Sequence, residues 1–149
     1  MKVIVHVASS CIDNGRPSQR ASCAIRAKAV DESGRTKSRL IVRPLGGKTA
    51  NQAELYGLLG GIMVVRPMYR NQTEIEVRTN GKYALKCVER DGKVFKTKPV
   101  NNVALVDRIR GLLEKHPYVK VVEGDDPDLQ TLAKTNVNAK TSIDSGTQG

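Results

Sequence analysis

The spacing of apolar residues changes in a definite order along this 149-residue chain, and that order constrains the fold more than any other feature. Apolar side chains, many of them β-branched, first recur with the period of two that is typical of strands. Three such segments predict strands: 3–7, 21–30 and 36–42. Residues 9–20 contain Asp13-Asn14-Gly15-Arg16-Pro17 and predict a loop, and Asp31-Glu32-Ser33-Gly34 predicts a turn. We therefore expect the chain to begin as an antiparallel meander.

After a loop at Pro44-Leu45-Gly46-Gly47, the apolar spacing becomes helical. The predicted helix places these residues on one face: Leu55, Leu58, Leu59, Ile62 and Met63. Thr49 or Asn51 can cap its start. Three glycines weaken the helix intrinsically: Gly57, Gly60 and Gly61. We expect close packing of this helix against the sheet as the compensation.

Strand and helix patterns then alternate to residue 136. Residues 74–78 and 118–123 predict two further strands, and the predicted helices are 82–88, 103–115 and 128–136. The helix at 103–115 buries these residues: Leu105, Val106, Ile109, Leu112 and Leu113. The predicted order is βββ, α, β, α, α, β, α. Residues 138–149 are small and polar, so we expect a disordered tail there after a domain at 1–137.

The chain is strongly basic, with 25 Lys and Arg against 15 Asp and Glu and a net charge of +10. This balance favours a polyanionic partner, above all nucleic acid. Aromatic residues make up only 3%, which argues against single-strand binding by base stacking and favours backbone and groove contacts. One stretch is especially basic: Lys82, Lys86, Arg90, Lys93, Lys96 and Lys98. An ordinary solvated face is the alternative interpretation of that stretch.

The cysteines Cys11, Cys23 and Cys87 are odd in number and match no zinc spacing. We interpret them as buried free thiols in a reducing compartment. No apolar run approaches the roughly 20 residues of a membrane span, and the first residues do not read as a signal peptide. We expect a soluble intracellular protein with no membrane partner. His6 alternates along a predicted strand and is interpreted as a packing residue.

Five short motifs carry a resemblance to a known family. Ala8-Ser9-Ser10-Cys11 ends the first predicted strand, where the family has Asp-Gly-Ser-Cys. Residues 49–55 are similar to Thr-Asn-Asn-x-x-Glu-Leu, and residues 79–83 to Thr-Asp-Ser-x-Tyr. Residues 98–105 resemble Lys-Pro-Val-x-Asn-x-x-Leu, and residues 130–133 resemble Asp-x-Leu-Ala. Through these motifs, in this order, the chain resembles ribonuclease H from residue 2 to about 137.

The resemblance implies an α/β, RNase H-like fold with a five-stranded mixed sheet flanked by helices. It also implies a chemistry that needs two divalent cations held by carboxylates. The four carboxylate positions of the family correspond here to Ala8, Glu54, Asn80 and Gln130. Only Glu54 is acidic, so the site keeps about one of about four negative charges, too few to hold a metal pair. We expect no metal site and no cofactor, with Glu54 a relic.

Two acidic residues near the last helix are candidates for a displaced carboxylate. Asp128 lies two positions before Gln130, which on a helix directs the two side chains to nearly opposite sides. Asp126 lies four positions before Gln130 and shares its face only if the helix begins early. We keep Asp126 as the alternative.

The resemblance also implies nucleic-acid contacts. Asn14, Asn51 and Asn102 occupy positions at which amides would contact the minor groove or backbone of an A-like duplex. The basic stretch lies where the family grips its substrate, so these lysines are candidate contacts: Lys82, Lys86, Lys93, Lys96 and Lys98.

Three functions remain open. We favour a catalytically inactive RNase H-like module that binds RNA/DNA hybrid or duplex RNA, within a larger nucleoprotein or replication assembly. The first alternative is a Mg²⁺-dependent ribonuclease H that hydrolyses the RNA strand of hybrids, or such an enzyme inactivated by engineering at Ala8 or Asn80. Gln130, Ser9 and the short loop before the last helix favour natural degeneracy. The second alternative is a structural subunit that docks proteins.

Overall fold

The structure is a computed structural model that describes residues 2–65, 74–92 and 94–138. Its strands are β1 Lys2–Ile12, β2 Arg20–Val30, β3 Thr36–Gly46, β4 Glu74–Thr79, β5 Arg90–Asp91, β6 Val94–Phe95 and β7 Val119–Glu123. Its helices are α1 Ala50–Val64, α2 Lys82–Val88, α3 Val103–Lys115 and α4 Pro127–Thr135. No helix of the described part of the chain is long and apolar enough to cross a membrane.

Five of the strands form one mixed sheet in the order β3-β2-β1-β4-β7. The first three strands are an antiparallel meander, and β4 and β7 run parallel to β1. The predicted α/β fold with a five-stranded mixed sheet is therefore confirmed. The remaining strands, β5 and β6, pair as a separate two-stranded hairpin inside the basic stretch, where no strand was predicted.

Both faces of the sheet are covered by helices. The larger core lies on the face that carries Val3, Val5 and Val7, where α1 packs with α2 and α3 against the strands. The opposite face carries a small cluster of Ala8, Ala24, Leu129 and Ala133 beneath α4. The Ser22 hydroxyl is buried there and donates to the backbone oxygen of Ala133.

Helix α1 packs on the sheet through its glycines, as the sequence predicts. A Cβ atom on Gly57 would lie 2.8 Å from Val7 Cγ1, and one on Gly61 would lie 2.7 Å from Val7 Cγ2. A Cβ on Gly60 would lie 2.6 Å from Ile25 Cδ1. These distances leave no room for a side chain, so the close approach of helix and sheet requires glycine. Thr49 caps this helix in a capping box with Gln52, so the Asn51 alternative is wrong.

Two predicted strand ends are wrong by several residues. The first strand does not end at Val7 but continues to Ile12, because β2 pairs with it along its whole length. The polar residues of this extension have no apolar alternation, so the sequence pattern does not predict the pairing. The third strand extends past Val42 to Gly46 and includes Pro44. Proline is tolerated because β3 is an edge strand, with one side free of ladder partners.

The predicted helices at 82–88 and 103–115 are confirmed to the residue. Leu105 and Leu112 are only partly buried, and the fully buried residues of α3 are Val106, Ile109 and Leu113. The last helix begins at Pro127, one residue earlier than predicted. Of the predicted tail 138–149, all but Asn138 lies outside the described residues, and the division into domain and tail stays a prediction.

Candidate functional site

Residues in the second half of β1 lie close to the residue that follows β4. The two strands are parallel neighbours, and the pairing of Val7 with Thr79 places Ala8 beside Asn80. The Nδ2 atom of Asn80 donates to Gln130 Oε1 over 3.4 Å, and Gln130 Nε2 donates to the backbone oxygen of Ser9 over 2.6 Å. Asn80, Gln130 and the backbone of Ser9 are thus joined by amide hydrogen bonds.

Glu54 reaches the same place from the first turns of α1. Its Oε1 atom accepts a hydrogen bond from the backbone N–H of Ala84 over 3.1 Å. Ala84 is the third residue of α2, whose N-cap residue, Gly81, supplies no side-chain hydrogen bond. A Cβ atom on Gly81 would lie 2.6 Å from Glu54 Oε1, so glycine is required for this approach. Glu54 therefore caps α2 from another helix, where its negative charge also complements the helix dipole.

Ala8 is 3% exposed and packs in the apolar cluster under α4. Its methyl group offers no metal ligand, and the surrounding Ala24, Leu129 and Ala133 offer none either. The site thus consists of a methyl group, two amides bonded to each other, and one carboxylate that caps a helix.

Asp126 does not replace the missing carboxylates. It is the N-cap residue of α4, where its Oδ1 atom accepts from the Leu129 N–H over 3.1 Å. Its Oδ2 atom accepts from Arg26 Nη1 over 3.0 Å. Because α4 begins only after Asp126, the early helix start required for this alternative does not occur.

The donor set does not fit a pair of divalent cations. Such ions need several anionic oxygens around two centres. Among residues 2–65, 74–92 and 94–138, no group of three or more His, Cys, Asp or Glu side chains is placed to hold a metal ion. Nothing in the chemistry of this site can therefore be assigned to a metal, and the role of Glu54 as a relic stays a prediction.

Asn14 and Asn51 lie together at the start of α1. The Oδ1 atom of Asn14 accepts from the Ala50 N–H over 3.0 Å, which ties the β1–β2 loop to the helix. It also lies 3.8 Å from Cys11 Sγ. Asn51 is the next residue of the helix after Ala50, and its side chain is exposed. The two amides mark one end of an exposed polar surface.

Asn102 lies farther along, beside α2. It adopts a left-handed backbone conformation with φ 57° as the N-cap of α3. Its Nδ2 atom donates to the Tyr83 hydroxyl over 3.3 Å, and that hydroxyl lies 3.5 Å from the backbone oxygen of Asn101. Asn102 and Tyr83 thus form a polar pair between α2 and α3.

The lysines of the basic stretch are exposed where the structure describes them. Lys82 and Lys86 project from α2, and Lys96 and Lys98 follow the β5–β6 hairpin. Lys96 forms an exposed ion pair with Glu89 over 3.3 Å, which adds little to stability. Lys93 lies outside the described residues.

The sequence gives no signal for Arg110, which holds this stretch in place. Its Nε atom donates to the backbone oxygen of Cys87 over 2.8 Å, and its Nη2 atom donates to that of Thr97 over 2.5 Å. Its guanidinium also stacks 4.5 Å from the centroid of the Phe95 ring. These partners lie well away from Arg110 in sequence, so local spacing does not identify them.

Cys23 and Cys87 are buried free thiols, as predicted, whereas Cys11 is only half-buried. Burial raises the pKa of the Cys23 thiol to about 11, an effect that nearby Arg43 partly opposes. The pKa of Cys11 is also raised, by burial and by Asp13. Neither thiol is activated as a nucleophile.

Comparison with solved structures identifies the fold. The RNase H1 named LC11, isolated from compost by a metagenomic approach, was solved in complex with an RNA/DNA hybrid; it has a TM-score of 0.67 and 20% identity over 97% of this chain and 99% of its own. The PFV RNase H domain, solved in solution, has a TM-score of 0.63 and 15% identity over 95% of each chain.

The protease–reverse transcriptase of prototype foamy virus has a TM-score of 0.72 and 14% identity over 94% of this chain. The chain spans only 21% of the length of that protein. No protein-family model matches the chain, and no curated protein matches it. The architecture built above and these three structures agree, and the chain has the RNase H fold.

Proposed function

We propose that the protein is a catalytically inactive RNase H-like module that binds duplex nucleic acid, with RNA/DNA hybrid or duplex RNA as its ligand. The observation that carries the proposal is the contrast between two neighbouring parts of one surface. Three of the four positions that carry carboxylates in ribonuclease H hold a methyl group and two mutually bonded amides, while Asn14, Asn51 and the described lysines of the basic stretch are exposed.

Electrostatics supports binding. The net charge of +10 attracts a polyanion, and Lys82, Lys86 and Lys98 are exposed along one continuous stretch. Lys96 is paired with Glu89, but both side chains are about half exposed, so a phosphate can replace the carboxylate at little cost. Phosphate neutralisation supplies affinity without any metal.

The polar groups that flank the lysines support a groove contact. Asn14 and Asn51 at the start of α1, and the Asn102–Tyr83 pair beside α2, present amide and hydroxyl groups. An A-form duplex displays 2′-hydroxyls and base edges in a wide, shallow minor groove, which such groups can reach. The LC11 enzyme was solved with an RNA/DNA hybrid, and the foamy viral protease–reverse transcriptase with both an RNA/DNA hybrid and double-stranded DNA.

The local hydrogen bonds support inactivity. The amides of Asn80 and Gln130 bond to each other, and that of Gln130 also bonds to the Ser9 backbone. These bonds connect β1, the end of β4 and α4, so the two residues have a structural role. Glu54 is engaged at the N-terminus of α2. We propose further that the module works within a larger nucleoprotein assembly, in keeping with the long foamy virus protein, of which this fold is a small part.

Titration of RNA/DNA hybrid, double-stranded RNA and double-stranded DNA at two salt concentrations tests the proposal. The parent is compared with a combined Lys86→Ala, Lys96→Ala and Lys98→Ala variant. A combined Lys2→Ala, Lys28→Ala and Lys120→Ala variant is the matched control. It removes the same charge from exposed positions on the five-stranded sheet, outside the basic stretch.

We expect the first variant to bind every duplex more weakly, with a log–log salt slope shallower by about 0.9 for each lysine that contacts phosphate of a B-form duplex. The control should bind nearly as the parent does. If the first variant binds with the same affinity and the same salt slope as the parent and the control, the stretch is only a solvated face. That result would favour the alternative of a protein-docking subunit.

A further inference from the structure

A groove lies between β3 and α1, on the face of the sheet that carries the larger core. Helix α1 lies over β1 and β2, through Gly57 on Val7 and Gly60 on Ile25. The edge strand β3 continues beyond it. The space between them consists of two adjoining cavities of about 510 and 280 Å³ that share Arg39 and Val64.

The groove has an apolar floor and a cationic rim. The floor is formed by Ile25, Ile41, Leu45, Tyr56, Leu59 and Met63. Arg39 and Arg43 line one side from alternate positions of β3, and Arg108 faces them from α3. Arg108 has its Nη2 atom 3.6 Å from Met63 Sδ, so its guanidinium lies over the floor.

The rim has no acidic counterpart. Among the described residues, none that lines either cavity is acidic. In the described ranges of the chain, none of the ion pairs involves Arg39, Arg43 or Arg108. Three guanidinium groups therefore surround apolar surface without a carboxylate partner, although arginine is well suited to bidentate pairing with carboxylates.

Charge and shape together select the occupant. A duplex supplies negative charge but no apolar side chains to fill the floor. A second copy of this chain brings a further net charge of +10. Residues 66–73 contain two arginines and no acid, and residues 139–149 contain one acid, Asp144, and one lysine, Lys140, so neither segment complements the rim.

We propose that this groove docks an acidic amphipathic helix of a partner protein. The helix would lie beside α1 over the edge strand β3, with its apolar stripe on the floor and its flanking carboxylates on the three arginines. The groove follows α1 from Tyr56 to Val65, about 14 Å, which accommodates two to three turns of a helix. This surface is separate from the lysine stretch on α2, so the inference does not depend on nucleic-acid binding.

Synthetic peptides test the inference. The probe is a helical peptide of about 18 residues with leucines at helical spacing and glutamates on both flanks. One control peptide carries lysines in place of the glutamates, and a second has the same composition as the probe in scrambled order. Binding is measured by fluorescence anisotropy, and the contact surface is mapped by NMR shifts of Ile25, Ile41 and Met63.

The protein variants are a combined Arg39→Glu and Arg43→Glu change and a control with Lys28→Glu and Lys120→Glu. We expect the acidic peptide to bind the parent and the control, to shift the groove methyl groups, and to bind the arginine variant at least about tenfold more weakly. The lysine peptide should bind the arginine variant and not the parent, which shows that the variant is folded.

Three results would overturn the inference. The acidic peptide fails to bind the parent, or the scrambled peptide binds equally well, or the shifts lie outside the groove. A fourth does so as well: if the arginine variant loses duplex affinity as strongly as the Lys86, Lys96 and Lys98 variant does, the groove belongs to the nucleic-acid surface.

Discussion

At the residue scale, Glu54 has a structural role at the start of another helix. Its Oε1 atom bonds the Ala84 N–H at the start of a helix whose own cap residue is glycine. This contact explains its presence at that position through the stability of α2 alone. The contact is structural, and the interpretation of Glu54 as a relic stays a prediction.

We predict that Glu54→Ala lowers the free energy of unfolding by about 1 to 2 kcal/mol, because a charge-assisted hydrogen bond to a helix terminus is lost. Glu54→Gln should cost less, since its amide oxygen can still accept from Ala84. Urea denaturation measures both changes, with Glu114→Ala on the exposed side of α3 as the control. A Glu54→Ala variant as stable as the parent would contradict the capping role.

His6 provides a pH-dependent prediction. Burial lowers its pKa below the ordinary value of 6.5; Asp126, 4.0 Å away, opposes the shift, while Arg78 and Arg26 reinforce it and Glu76 opposes it. The unfolded chain therefore binds the proton more readily than the folded one, so stability is lost as the pH falls below about 6.5.

We expect His6→Gln to flatten that loss, since glutamine keeps a polar side chain and does not titrate. Thermal or urea unfolding between neutral and mildly acidic pH measures the slopes. Parallel curves for the parent and the variant would rule out His6 as the source.

At the element scale, the sequence predicts the helices and strands whose apolar spacing is regular. It does not predict the end of a strand where that end depends on pairing with another strand. The bounds of α2 and α3 follow from the local spacing of apolar residues. The extension of β1 through Ser9 and Ser10 depends on pairing with β2, which no local pattern records. The β5–β6 hairpin escapes prediction because each strand has only two residues.

The basic stretch also depends on a distant residue, Arg110. We predict that Arg110→Ala loosens the segment around Phe95 and Thr97, because it removes two backbone hydrogen bonds and the stacked guanidinium. Hydrogen exchange at Lys96 and Thr97 should quicken, and duplex affinity should fall although no phosphate contact is removed. Arg108→Ala is the control, because Arg108 is the other arginine of α3 and is exposed. Unchanged exchange at Thr97 would refute the anchoring role.

At the scale of the whole molecule, the fold was largely predictable and the site only partly so. The order of periodicities and five short motifs predict the mixed sheet that the structure shows. The same motifs predict that Ala8, Glu54, Asn80 and Gln130 form one site; the structure joins Asn80 to Gln130 and Gln130 to the Ser9 backbone by hydrogen bonds, and the role of the four positions stays a prediction. What could not be predicted is the use of these amides: their hydrogen bonds join residues that are 50 and 121 positions apart.

The molecule as a whole combines a basic surface with a site that lacks the charge to hold divalent ions. We propose that the protein binds duplex nucleic acid although it has lost catalytic activity. Ala8, Asn80 and Gln130 support that proposal. Ala8 packs in the apolar cluster under α4, Asn80 bonds to Gln130, and Gln130 bonds to the Ser9 backbone, as structural residues do.

The most direct test is hydrolysis of a labelled RNA/DNA hybrid in Mg²⁺ and in Mn²⁺. The parent is measured beside Glu54→Ala and beside a variant that combines Ala8→Asp, Asn80→Asp and Gln130→Asp. We predict that the parent cleaves no faster than Glu54→Ala, although it binds the hybrid. Metal-dependent turnover by the parent above the Glu54→Ala level would contradict the account and establish the ribonuclease alternative.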